Sequence, residues 1–113
     1  MKQGIRKDLF PGALELMVLQ LLKTQRLHGY ALVQAIKRSS RDLLQIEEGS
    51  LYPALQRMLK AGWVKARWTT SSSGRRIRLY EITPAGVKHL GYERERIDQM
   101  FEGVRLVLAL AES

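Results

Sequence analysis

Along the first half of the chain the apolar residues recur at three- and four-residue intervals, the signature of one-sided helices. Leu14, Met17, Val18, Leu21 and Leu22 share a face between about Pro11 and Thr24, with Pro11 and Gly12 suited to a helix entry. A short break at Gln25–Gly29 leads to Tyr30, Leu32, Val33 and Ile36, a second helix closing near Ser39 and Ser40. After a linker carrying Leu43, Leu44 and Ile46, Ser50 is placed to cap a third helix with Leu51, Leu55, Met58 and Leu59 on one face. Pro53 then falls in its first turn, where a missing N–H has no consequence, and Gly62 supplies the stop.

From Trp63 the period drops to two. Val64, Ala66 and Trp68 alternate with Lys65, Arg67 and Thr69, the stretch Ser71–Gly74 turns, and a return strand runs from about Arg76 to Ile82. Thr83-Pro84 is a helix start, an N-cap followed by proline at the first helical position. The last helix carries Leu90, Ile97, Met100, Phe101, Val104, Val107, Leu108 and Ala111, nearly a heptad stripe. The fold class expected is mainly α with a small β-hairpin (α+β): a winged helix-turn-helix over residues 1–83 and a long C-terminal helix over 84–113.

Composition narrows the function. With 113 residues, 45% hydrophobic and 27% charged, the chain fits one ordinary folded unit. The apolar runs are far shorter than a membrane span and the N-terminus lacks an apolar signal core, so a cytoplasmic protein without membrane attachment is expected. There is no cysteine, and His28 and His89 are too distant in sequence to suggest a metal site; neither metal nor cofactor is expected. Without a nucleophile–base pair or a glycine-rich phosphate loop, the pattern argues against an enzyme.

Charge then points to a partner. The net charge is +8, and residues 49–80 contain Arg57, Lys60, Lys65, Arg67, Arg75, Arg76 and Arg78 with no acid between Glu48 and Glu81. Solvated surfaces normally mix signs, whereas a one-signed cationic stretch suits phosphate backbones. In a winged helix-turn-helix the third helix enters the major groove and the wing touches the adjacent backbone or minor groove. The face of that helix opposite its apolar stripe presents Ser50, Pro53, Gln56, Arg57 and Lys60. Arg57 has the fork to pair with guanine and Gln56 the amide to read adenine, while the hydroxyls of Ser50 and Tyr52 suit phosphate oxygens. Arg75, Arg76 and Arg78 belong to the wing. A winged-helix adaptor for protein or RNA is the competing reading; RNA would draw on exposed aromatics, for which Tyr52 and Trp68 are the candidates.

The final helix is apolar over too wide an arc for one small domain, with Val104, Leu106, Val107, Leu108 and Leu110 inside seven residues. A partner's equivalent helix is the economical cover, making a twofold homodimer suited to a pseudo-palindromic site.

The runs Gly12-Ala13-Leu14-Glu15-Leu16, Leu27-His28-Gly29-Tyr30, Glu48-Gly49-Ser50-Leu51-Tyr52-Pro53-Ala54-Leu55 and Gly74-Arg75-Arg76, with Tyr80 and Thr83, resemble in order the PadR family of transcriptional regulators. That resemblance implies a winged-helix reader of double-stranded DNA, a C-terminal helix that builds a dimer, and repression through a pseudo-palindromic operator. It places the DNA contacts on Ser50, Tyr52 and their neighbours and on the Gly74-Arg75-Arg76 wing. It also implies release by a small aromatic effector. In drug-sensing members a tryptophan of the C-terminal helix stacks on the ligand; here both tryptophans, Trp63 and Trp68, precede that helix, which offers Tyr92 and Phe101 instead.

Overall fold

The computed structural model describes residues 12–110. The elements run α1 (Ala13–Leu22), β1 (Leu27–His28), α2 (Gly29–Ser39), α3 (Glu48–Ala61), β2 (Val64–Thr70), β3 (Arg76–Ile82) and α4 (Pro84–Leu110). The three strands form an antiparallel sheet in the order β1-β3-β2. β1 lies within the break at Gln25–Gly29: Leu27 and His28 pair with Tyr80 and Leu79. Pro11 and Ala111, used in the sequence argument, lie outside the described residues.

One apolar core joins all four helices and the sheet. Val18, Leu19 and Leu22 of α1, Leu32 and Ile36 of α2, and Leu51, Leu55 and Met58 of α3 meet Ile46, Val64, Tyr80 and Leu90. All of these helical positions but Leu19 are ones the three- and four-residue spacing marks, as burial of one stripe requires; Tyr30, marked by the same spacing, is instead exposed.

The ends of α3 fix where that helix starts and stops. Its last turn closes in the left-handed conformation at Gly62 (φ 82°), with Trp63 N–H bonding Met58 O at 3.0 Å and Gly62 N–H bonding Leu59 O at 3.1 Å; this is a Schellman closure. Its start differs from the sequence reading. The helix begins at Glu48, with Glu47 in the N-cap position and no side-chain cap bond, so Ser50 is its third residue rather than its cap, and its N–H bonds Glu47 O at 3.0 Å. Pro53 therefore falls in the second turn and deprives the Gly49 carbonyl of its helical donor, which exposure of Gly49 to water makes tolerable.

Thr83 performs the capping its sequence announces and does more. Its hydroxyl accepts from Gly86 N–H at 3.0 Å and donates to the Gly62 carbonyl at 2.6 Å, tying the start of α4 to the end of α3. A Cβ on Gly86 would collide with the Trp63 carbonyl, so glycine allows α4 to lie against the base of the wing. The Trp63 ring stacks on His89 of α4 at 3.6 Å. The first turns of α4 thus belong to the core. Leu90, placed by sequence in the dimer stripe, is 2% exposed inside the core of its own chain and is removed from that stripe. Beyond it the helix, about 40 Å long in all, runs on with every residue from Asp98 to Leu110 exposed.

Candidate nucleic-acid interface

The hairpin between β2 and β3 is built on a five-residue loop. Gly74 takes φ 86°, Ser71 N–H bonds Arg75 O at 2.8 Å, and the Ser71 hydroxyl reaches both Ser73 Oγ (3.0 Å) and Arg75 N–H (3.2 Å). This fixes the register Trp68↔Arg78 and Thr70↔Arg76. Since alternate residues share a face, Trp68, Arg76, Arg78 and Tyr80 line one side of the sheet, the side that covers the core at Val64.

Where the core ends, that face and α3 diverge into a groove of about 400 Å³. Glu48, Tyr52 and Gln56 of α3, His28, Gly29 and Tyr30 at the β1–α2 junction, and Trp68, Arg75, Arg76, Ile77, Arg78 and Tyr80 of the hairpin line it. The Arg76 guanidinium lies 4.8 Å from the Trp68 ring centre, and that of Arg78 lies 5.8 Å from Trp68 and 5.9 Å from Tyr80. Trp68, 56% exposed, is a platform that holds the two arginines extended along the groove wall. The Nε of Arg78 is buried without a hydrogen-bond partner among the described residues.

Tyr52 packs its ring over Gly29, where a Cβ would come within 2.7 Å of the phenol oxygen. Glycine there seats the tyrosine against the start of α2. Partial burial first, then the carboxylate of Glu48 and the neighbouring Tyr80, raise the Tyr52 phenol above its ordinary value of 10.0. At neutral pH it remains an O–H, able to donate to an anion.

The seven cations of residues 49–80 do not act as one group. Arg57 is held by an acid of α1, its Nε and Nη2 donating to Glu15 Oε2 at 3.1 and 2.8 Å, while it still lines a cleft with Gln56, Lys60 and Arg78. This corrects the expectation of a free fork for guanine. Lys65 pairs with Glu81 at 3.8 Å, which also meets Arg26 at 3.4 Å, and strand alternation puts Lys65 and Arg67 on the sheet face opposite Trp68. Lys60, Arg75, Arg76 and Arg78 remain without an ion pair among the described residues, flanking the exposed edge of α3. Ser50, Tyr52, Pro53 and Gln56 are exposed on that helix. The structure adds Trp68, Tyr30 and His28 to the groove, and the hairpin register is the signal that pairs Trp68 with Arg78.

At the other end of the molecule, Met100, Phe101, Val104, Val107 and Leu108 of α4 are exposed, Phe101 by 52% and Leu108 by 65%, while Ile97 is half-buried beside α1. Leu106 and Leu110, outside the predicted stripe, are exposed as well. No helix among the described residues is long and apolar enough to cross a membrane, and no metal-ligand cluster occurs among them.

Three helices, a two-stranded wing and an added β1 at its edge define a winged-helix protein. Residues 18–92 match the family described as the transcriptional regulator PadR-like family, and the chain belongs to that family, one of regulators rather than enzymes. It is 30% identical over 107 residues to an uncharacterised protein of Lysinibacillus sphaericus, covering 88% of this chain and 98% of that one. Among solved structures it is similar to a transcriptional regulator from Clostridium thermocellum (TM-score 0.80, 27% identity, 89% of this chain and 95% of that one). A PadR-like regulator from Bacillus cereus gives a TM-score of 0.72 at 27% identity, over 86% and 92%. The fold also matches Bacillus subtilis PadR in complex with operator DNA, at a TM-score of 0.63 and 23% identity, over 70% of this chain and 45% of that protein.

Proposed function

We propose that this protein is a homodimeric, sequence-specific reader of double-stranded DNA that represses transcription from a pseudo-palindromic operator. The observation that carries the reading is the pair of clefts between α3 and the wing: Arg75, Arg76 and Arg78 line one, Lys60 and Arg78 with Arg57 the other, and Lys60, Arg75, Arg76 and Arg78 make no ion pair among the described residues. Ser50, Tyr52, Pro53 and Gln56 face the major groove and the wing arginines take phosphates or a narrow minor groove. The Bacillus subtilis relative crystallised with operator DNA supports the same use of the fold. Residues 1–83 form the reading unit, and the stripe of α4 that starts at the half-buried Ile97 and is exposed from Met100 through Leu108 is covered by the same helix of a second copy. Repression is relieved by a small aromatic effector that changes the spacing of the two reading helices.

Titration of a fluorescent fragment of the gene's own promoter, at two salt concentrations, tests the core of this reading. Binding that outcompetes random DNA and weakens in the Arg75→Ala/Arg76→Ala double variant is expected. Equal weak binding to every duplex would overturn it. Sedimentation of Phe101→Glu/Leu108→Glu tests the dimer: the variant should run as a monomer where the wild type runs as a dimer.

A further inference from the structure

Gly49 is the residue of α3 whose identity the fold does not require. Gly62 and Gly74 hold positive φ, and Gly29 and Gly86 have neighbours where a Cβ would stand. Gly49 has neither constraint: its φ is not in the left-handed region, and a Cβ built on it meets nothing within 4 Å. It is the second residue of the helix, where alanine is the better helix former.

Its place on the helix supplies a reason. At about 100° per residue, Gly49, Pro53, Gln56 and Lys60 lie roughly 150–170° from the middle of the buried stripe formed by Leu51, Ala54, Leu55 and Met58. They form the outermost ridge, while Ser50, Tyr52 and Arg57 stand on its flanks. The ridge is bare at its N-terminal end, with no side chain at Gly49 and only a short ring at Pro53, and becomes long and cationic toward Lys60. In helix-turn-helix readers the N-terminal end of the recognition helix goes deepest among the base edges.

We propose that Gly49 is a glycine for the sake of the DNA: its bare face lets the backbone of α3 seat against base edges in the major groove, and any Cβ at this position holds the helix away. The inference rests on the DNA-reading function above. It predicts an unusual combination, in which one methyl group improves the fold and damages binding.

The test compares Gly49→Ala with Gly91→Ala, a glycine of α4 that is also exposed, free of positive φ and without neighbours for a Cβ. Both variants should melt a few degrees above wild type, since each replaces an unconstrained helical glycine. Gly49→Ala should lose about tenfold or more in operator affinity, Gly49→Leu more again, and Gly91→Ala nothing. A Gly49→Ala protein that binds as wild type would overturn the inference. So would a fall in its melting temperature, which would assign the glycine to relieving the Pro53 ring one turn on, where the ring presses on the residue 49 carbonyl. If wild type itself fails to prefer the promoter fragment over random DNA, the DNA reading fails first and this inference with it.

Discussion

Separating the roles of Glu15 and Arg57 tests whether the third helix is held or is reading. Both guanidinium contacts converge on one carboxylate oxygen, at 3.1 and 2.8 Å, and join α1 to the flank of α3. The two partners are unequally solvated: the Arg57 side chain is 62% exposed and that of Glu15 only 15%. Solvent screening of the arginine end limits the pair itself to about 1 kcal/mol. Removing the arginine, however, strands a carboxylate that is largely shielded from water, which adds about another 1 kcal/mol. Arg57→Ala should therefore cost roughly 2 kcal/mol and Glu15→Gln, which leaves an arginine free to turn into solvent, about half as much.

Urea unfolding of wild type, the two single variants and the double variant measures this directly. The double variant loses the pair but strands no carboxylate, so it should be more stable than additivity predicts by about 2 kcal/mol. Operator titrations of the same four proteins settle the role in binding. If Glu15 retains the arginine in the complex, both single variants lose affinity modestly and uniformly across operator sequences. A coupling below about 0.3 kcal/mol, within the range of simple additivity, would refute the reasoning. So would loss of discrimination at a single base pair in Arg57→Ala alone, which is the behaviour of a guanine reader.

Four further outcomes follow from the same geometry. Leu90→Ala should cost about 2–5 kcal/mol in urea unfolding as a core truncation, whereas Leu108→Ala should leave the stability of the winged part nearly unchanged and weaken association in sedimentation. Thr83→Ala, which removes a helix cap together with the bond to the Gly62 carbonyl, should cost about 1–2 kcal/mol in the same assay. If Lys60, Arg75, Arg76 and Arg78 each meet a phosphate as proposed, operator affinity should fall with salt at a log-log slope of about −3.6 per protomer, at 0.9 each; a slope near −6 would restore Arg57, Lys65 and Arg67 to the interface. Because the Tyr52 phenol titrates higher in the folded chain than its free value of 10.0, its contribution to stability is full below pH 10 and is lost as pH rises beyond it. Tyr52→Phe should flatten that alkaline fall in thermal melts relative to wild type.

The periodicities that mark core positions were readable because each reports a single face of a single element. Leu51, Leu55 and Met58 had to be buried whatever α3 packed against, and the alternation through Trp68 could only be a strand. The site was less legible because it is made between elements. Counting charge along residues 49–80 treats seven cations as equivalent, yet two are matched to acids distant in sequence, Glu15 forty-two residues before Arg57 and Glu81 sixteen after Lys65. Strand alternation also sends Arg67 to the face opposite the groove. The same limit explains Leu90 and Ser50. A stripe along α4 does not reveal where the helix leaves its own domain, and here the crossover falls after the turn that Gly86 and Leu90 bury. Ser50 is a good cap by type, but the backbone begins the helix two residues earlier, where Glu48 brings a negative charge to its first turn. That earlier start turns Gly49 from a linker residue into part of the helix surface, and so makes its missing side chain a feature of the face that the proposed function offers to DNA rather than of the approach to it.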